Sequence, residues 1–302
     1  MIPASQATQV RHALSVDVED WYHDQSRGPA PATAEEIAHG GRRVADNLAR
    51  LFELFARRKT RVTLFVLADM ARENPKLVRQ AQAAGHEIAC HGLHHRRLPQ
   101  VASRQLTAEL CEARRAVEDV AGIRVKGFRA PYFLDVAQLG ALDSVADAGF
   151  DYDSSFMPLR WSGRAPPRLA EKPGPVRLGS GLWEIPLPLS RLPSGHELPL
   201  AAGGFALRGL PYRFFRRQLD RWADEHGPAV VYTHPWEIDP GSPKLVGTPG
   251  YVRFFNGLGR ARVAARLERL LDERRFGPIS DVFASWLNAT PGTRESIERA
   301  QR

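Results

Sequence analysis

The sequence predicts an α/β fold built on a parallel sheet, open or closed into a barrel. Two observations carry this. Short apolar runs alternate with amphipathic helical stretches through the first half of the chain, the order of successive βα units. The side chains best suited to chemistry fall just after those runs, where the carboxyl ends of parallel strands collect functional groups.

Each element follows from its own pattern. Residues 13–18 form a short apolar strand ending in carboxylates. Residues 34–58 read as one helix, because Val44, Leu48, Leu51, Phe52 and Phe55 recur at helical spacing. Residues 62–68 are the clearest buried strand. Residues 75–84 form a helix with Pro75 at its start and Gly85 past its end. Residues 86–90 are the next strand. Ser103 opens a helix over 103–120 that places Leu106, Leu110 and Val117 on one face. A strand at 125–128 and a helix at 138–148 follow. From 158 to 212 the chain is rich in Pro, Gly and Leu, with a strand only around 182–186. Helix returns at 212–226, a buried strand at 229–233 and a basic amphipathic helix at 263–275. Residues 279–287 pack back on the core.

Composition is ordinary for a globular protein: 302 residues, 43% hydrophobic and 25% charged. A chain this long builds its core without disulfides, and it has only Cys90 and Cys111. The net charge of +8 comes mostly from arginines spread among Glu and Asp, the pattern of a solvated surface. Nucleic-acid binding would rest on that charge alone, so no nucleic-acid partner is expected. Residues 1–9 do not look like a signal peptide, and no run of about 18 apolar residues occurs in the sequence. The expectation is a soluble protein made in the cytoplasm. With no internal repeat or linker, residues 1–290 read as one catalytic domain and 291–302 as a polar tail.

Four groups of residues carry the chemistry. Asp17, Glu19 and Asp20 crowd three carboxylates into Ser15-Val-Asp-Val-Glu-Asp-Trp21, which is costly unless a cation compensates. His91 and His95 have a spacing that can bring two imidazoles to one metal, with His94 as an alternate ligand. Cys90 precedes His91 on a strand, so its side chain points to the opposite face. One carboxylate can bind a metal while another acts as general base, and Arg129 would hold such a carboxylate in place. His234, closing a buried strand, supplies a general acid. Together these are the parts of a metal-assisted hydrolase. No Gly-x-Ser-x-Gly motif supports a serine hydrolase.

These motifs resemble those of the polysaccharide deacetylase family, also called the NodB homology or carbohydrate esterase 4 family. Residues 15–21 are similar to its aspartate motif and residues 87–95 to its histidine motif. Arg129-Ala-Pro-Tyr132 is similar to its arginine motif, and Tyr232-Thr-His234 to its late histidine motif. In detail, Asp151-Tyr-Asp-Ser-Ser155, His234-Pro-Trp-Glu-Ile-Asp239 and Arg275-Phe-Gly-Pro278 resemble a subgroup tied to exopolysaccharide loci that also encode exosortase. The resemblance covers roughly residues 12–285.

The resemblance implies a distorted (β/α) barrel of about seven parallel strands, NodB-like, and a divalent metal, usually zinc. It implies hydrolysis of N-acetyl groups from amino sugars of a polysaccharide. Carried over, Asp17 is the base, Arg129 positions it, and His234 is the acid. The ligands are His91, His95 and Asp20, with Glu19 as the alternative. The family pairs two adjacent aspartates, whereas Val18 and Glu19 separate Asp17 from Asp20 here; Glu19 as base with Asp20 as ligand also fits that spacing. The backbone N–H of Tyr132 would help hold the oxyanion. Residues 199–211 would shape the groove, and Trp21, Tyr132, Phe205 and Trp236 are candidate sugar-stacking rings, each with core packing as its other reading. Related enzymes act on exported polymer, so action in the periplasm or at the membrane, within an exopolysaccharide synthesis or export complex, is a further expectation. Two competing readings are a cyclic amide or ureide hydrolase, as in allantoinase-like relatives, and a non-catalytic carbohydrate-binding subunit.

Overall fold

The computed structural model describes residues 10–23, 33–99, 102–157, 174–192, 197–243, 250, 254 and 257–289. Eleven strands lie among them: β1 (Arg11–Val18), β2 (Thr63–Val66), β3 (Glu87–Cys90), β4 (Gly127–Phe128), β5 (Tyr152–Asp153), β6 (Val176–Arg177), β7 (Trp183–Glu184), β8 (Ser190–Arg191), β9 (Glu197–Leu198), β10 (Val230–Thr233) and β11 (Arg275–Gly277). The main sheet runs β10-β1-β2-β3-β4-β5-β7-β6, with β11 added beside the first residues of β1. Every pairing in it is parallel except β6 with β7. The sheet curls into an open half-barrel, which bears out the distorted (β/α) barrel expected of the sequence.

The alternation of side chains along β1 separates two compartments. Leu14, Val16 and Val18 point outward and pack with Val44, Leu48 and Leu51 of the helix layer. Ala13 points inward with Phe65, Ala89, Tyr152 and Val230, and Ile279 and Phe283 close that inner cluster. Each such fully buried large apolar side chain contributes about 1.5–3 kcal/mol.

Beyond β10, residues 202–204 continue the curl. Tyr232 donates its N–H to the Ala202 carbonyl (2.8 Å), and Gly204 donates to the Tyr232 carbonyl (2.9 Å). A Cβ on Gly203, whose φ is 102°, would sit 2.1 Å from the Tyr232 oxygen. Only glycine permits this approach, which explains the Gly-Gly pair in residues 199–211.

Most predicted helices are present. Ser103 caps Arg104–Ala121 by accepting from the Leu106 N–H (3.1 Å), and left-handed Gly122 ends it. Pro75–Ala83 and Tyr212–His226 stand as expected. The predicted helix over 34–58 is two helices, Ala34–Gly40 and Val44–Arg57, broken around left-handed Gly41. The strand expected over 62–68 ends at Val66, and Ala68 already opens a short helix, Ala68–Glu73. The helix expected over 138–148 is a single turn, Val136–Gln138, followed by Leu142–Asp147. The helix expected at 263–275 begins earlier, as Arg260–Glu273. The polar tail from 291 lies outside the described residues. No described helix is long and apolar enough to cross a membrane.

Candidate active site

The parity of β1 also builds the site. Ser15, Asp17 and Glu19 share the inward face, and Val16, Val18 and Asp20 the outward one. Glu19 therefore reaches the histidines. Its Oε1 lies 3.1 Å from His91 Nε2 and 2.9 Å from His95 Nε2. The ligand atoms of Glu19, His91 and His95 all lie within 4.8 Å of one another. All three side chains are almost wholly removed from solvent.

Asp20, the preferred ligand from the sequence, is used elsewhere. Its Oδ1 accepts from the Trp21 N–H (2.8 Å), and its Oδ2 accepts from the N–H groups of Arg43 (2.8 Å) and Val44 (3.1 Å). It thereby caps the helix Val44–Arg57, which has no side-chain cap of its own. The alternative, Glu19, occupies the place beside the histidines. His94 is turned to the surface, half-exposed, and pairs with Asp69 at 2.5 Å. Cys90 faces the helix layer as predicted, and burial pushes its thiol up to about 12.

The donor set fits a divalent cation. His91 donates Nδ1–H to the Arg129 carbonyl (2.8 Å), which leaves Nε2 as an acceptor facing the Glu19 carboxylate. Acceptors converging in a dry pocket require a cation between them, either a proton or a metal. Two imidazoles and one carboxylate are a catalytic-zinc donor set, although they also suit other first-row ions. His23 was not singled out by the sequence. Its ring lies 5.3 Å from that of His95, and burial, aided by the His95 charge, depresses it to about 3.

Asp17 and Arg129 form a second unit. Arg129 is completely buried and donates from one terminal nitrogen to Asp17 Oδ1 and to Ser15 Oγ, both at 2.7 Å. Its Nε–H reaches the Ser154 carbonyl (2.8 Å), its other terminal nitrogen reaches Ser154 Oγ (3.1 Å), and its plane covers Phe65 at 4.1 Å. A guanidinium held at this many points cannot swing away from Asp17.

His234 approaches from β10. Its Nε2 lies 4.0 Å from Asp17 Oδ2 and 3.9 Å from Glu19 Oε1. Its Nδ1 faces Glu237 Oε2 at 3.3 Å, and Glu237 is in turn held by Arg208 at 2.9 Å. Burial alone would lower the His234 imidazolium. Glu19, Glu237 and Asp17 outweigh that and raise it to about 9. Burial would likewise raise Glu237, but bonds and charge from His234 and then the charge of Arg208 hold it at about 2. For Glu19, burial is outweighed by His95, His234 and His91, which keep its carboxyl well below the usual range. Glu237 and Arg208 were given no role by the sequence. The Glu three residues after His234 was the available signal, since a one-turn return places it under the imidazole.

The aromatic residues divide. Trp21 and Trp236 are buried together in a small cluster, and Trp236 stacks on His234 at 4.9 Å. Tyr132 is half-buried with its ring 4.5 Å from His95, and Phe205 is exposed. Tyr132 and Phe133 both carry positive φ, 65° and 55°, so the turn after Ala130-Pro131 is strained where it borders the site.

Comparison with known proteins finds likenesses in sequence and in fold. Residues 39–152 match the polysaccharide deacetylase family, and residues 154–284 match a domain of unknown function, DUF3473. A chitooligosaccharide deacetylase from Sinorhizobium fredii (strain NGR234) is 29% identical over 116 residues, which cover 37% of this chain. The aligned part spans about half of that relative's length, 52%. Among solved structures, a protein from Mycobacterium smegmatis described as a polysaccharide deacetylase superposes with a TM-score of 0.62 at 21% identity, covering 93% of this chain and 92% of that one. PuuE allantoinase superposes with a TM-score of 0.61 at 15% identity, covering 96% and 93%. These two likenesses are of fold. The segment that carries His91, His95 and Arg129 is therefore similar to polysaccharide deacetylases in sequence, and the chain as a whole is similar to them in fold.

Proposed function

We propose that the protein is a metal-dependent deacetylase that removes N-acetyl groups from amino sugars of a bacterial exopolysaccharide. The observation that carries this reading is the placement of Asp17 and His234 against one cluster. His234 Nε2 lies within 4.0 Å of Asp17, and both flank Glu19, His91 and His95. Glu19 replaces Asp20 as the carboxylate ligand. The S. fredii chitooligosaccharide deacetylase supports an acetylated amino-sugar polymer as the substrate class. The exopolysaccharide follows from the resemblance of residues 151–155, 234–239 and 275–278 to the exosortase-associated subgroup, and with it action in the periplasm or at the membrane.

A divalent metal held by Glu19, His91 and His95, zinc by analogy with the family, would supply Lewis-acid polarisation of the acetamide carbonyl and lower the pKa of water. Asp17, fixed by Arg129, takes a proton from the attacking water as its oxygen bonds to the carbonyl carbon. The Tyr132 backbone N–H would help hold the developing oxyanion, by analogy with the family. His234, tethered through Nδ1 to Glu237, gives the Nε2 proton to the departing amine as the C–N bond breaks. Acetate and a free amino sugar result. Tyr132 and Phe205 provide ring surface for neighbouring sugars, while Trp21 and Trp236 mainly build the wall behind His234.

The test is acetate release from N-acetylglucosamine oligomers by metal-loaded protein, beside chelated protein and Asp17→Asn. Release in the first and a loss of at least about 100-fold in both others is expected. Full release by the chelated protein sinks the metal-dependent reading. No release by protein that binds metal stoichiometrically sinks the substrate, and cyclic amides follow.

A further inference from the structure

Asp153 and Glu184 have no part in the chemistry above, yet both are completely buried. They stand opposite each other in the register of β5 and β7. Asp153 Oδ1 accepts from the Ser155 hydroxyl (2.6 Å) and Oδ2 from the Ser155 N–H (2.9 Å). Glu184 Oε1 accepts from the Phe156 N–H (3.1 Å), while its buried Oε2 has no hydrogen-bond donor among the described residues. Two adjacent carboxylates in a dry interior cannot both stay charged. The orphaned Oε2 is where a shared proton belongs.

What these acids hold is the cradle of Arg129. The Ser154 carbonyl and hydroxyl take the Arg129 Nε–H and one terminal nitrogen. Ser155 Oγ accepts from the Ala130 N–H at 2.7 Å, at the start of the turn that carries Tyr132. Ser154 Oγ itself donates to the Ile185 carbonyl (2.9 Å), next to Glu184. Asp-Ser-Ser in this chain is thus a connector between the acid pair and the base–arginine unit.

We propose that Asp153 and Glu184 share one proton as a buried carboxyl pair that positions the site, locking Ser154 and Ser155 so that Arg129 stays on Asp17. This rests on the roles given above to Asp17 and Arg129. Burial raises both carboxyls. Glu184 stands well above its usual range, with the Asp153 charge adding to burial, and Ser155 and Arg129 favour the ionised form at Asp153. The proton therefore resides on Glu184 and is donated toward Asp153.

Infrared spectra and hydrogen exchange test this without needing turnover. At neutral pH the wild-type minus Glu184→Gln difference spectrum should show a carboxylic-acid C=O band. The Arg129 Nε–H, assigned through Arg129→Lys, should be protected in wild type and in Glu184→Gln, whose amide mimics the protonated acid. It should exchange at least about tenfold faster in Asp153→Asn and in Glu184→Ala. In turnover, Asp153→Asn should lower kcat by about 10–100-fold with KM unchanged, and Glu184→Gln should rescue what Glu184→Ala loses. No acid band lost in Glu184→Gln, or equal protection in Asp153→Asn, overturns the proposal. If the band and protection hold but no variant releases acetate, the deacetylase reading fails and the acid pair stands.

Discussion

At the scale of single residues, the site is decided by which face of β1 each carboxylate occupies. Glu19 and Asp20 are neighbours in sequence but do different work. Glu19→Ala should abolish stoichiometric zinc binding in equilibrium titration and leave the fold intact. Asp20→Ala should keep zinc binding and lose about 1–2 kcal/mol of stability in urea unfolding, because three backbone N–H groups lose their acceptor. The reverse pattern would restore Asp20 as the ligand. His234 offers a second reading of the same centre. In chelated protein its imidazole should titrate near 9 by NMR. That raised value stabilises the fold fully below its unfolded pKa of about 6.5, and the stabilisation is lost as pH rises to 9. A divalent ion bound at Glu19 neutralises one of the carboxylates that raise it, so metal loading should move the midpoint down. A midpoint unmoved by zinc would place the ion elsewhere.

At the scale of elements, the junction of β1, β10 and β11 carries its own titration. His12 is completely buried on β1, accepts the Ala229 N–H at Nδ1 (3.2 Å) and lies 5.5 Å from the Phe276 ring. Because Nδ1 accepts this N–H it cannot carry a proton, and Nε2 has no partner among the described residues to stabilise a charge, so the neutral ring fits and the charged ring does not. Burial, with the Arg274 charge, lowers it to about 4. The unfolded chain then binds this proton more readily, so stability is full above about 6.5 and falls by roughly 3 kcal/mol between there and 4. Urea unfolding across that range should show this slope in wild type and a shallower one in His12→Phe. Equal slopes would remove His12 from the acid response.

The elements also show what the sequence made legible. Long periodic helices and four-residue buried strands were readable, because burial on one face leaves a repeat. Strands β4 to β9 have two residues each, too short for any alternation, and only their partners in the sheets define them. The break around Gly41 was signalled by Gly40-Gly41 but masked by the apolar spacing that resumes at Val44. Asp17, Arg129, His91, His95 and His234 were legible because each follows a buried run. The roles of Glu19 and Asp20 were not, because family spacing favoured one and strand parity the other. Extending the inward face from Ser15 and Asp17 would have singled out Glu19. Glu184 was out of sight for another reason: its partner Asp153 lies 31 positions earlier, joined to it only by the sheet.

At the scale of the whole molecule, the two matched segments contribute to one centre. His91, His95 and Arg129 come from the part that matches polysaccharide deacetylases, and His234 with Glu237 comes from the DUF3473 part. Asp17 and Glu19 precede both matched segments; Asp17 lies on β1 and Glu19 just past its end, and β1 pairs with β2 on one side and β10 on the other. Residue by residue the halves are separate, and the curl of the sheet joins them. The direct check is acetate released per metal ion bound, measured on wild type, Asp17→Asn and Glu19→Ala. Asp17→Asn should bind one metal per chain and release almost no acetate, while Glu19→Ala should lose both. Metal lost from Asp17→Asn, or acetate still released by Glu19→Ala at the wild-type rate, would contradict a centre in which Glu19 holds the ion and Asp17 moves the proton.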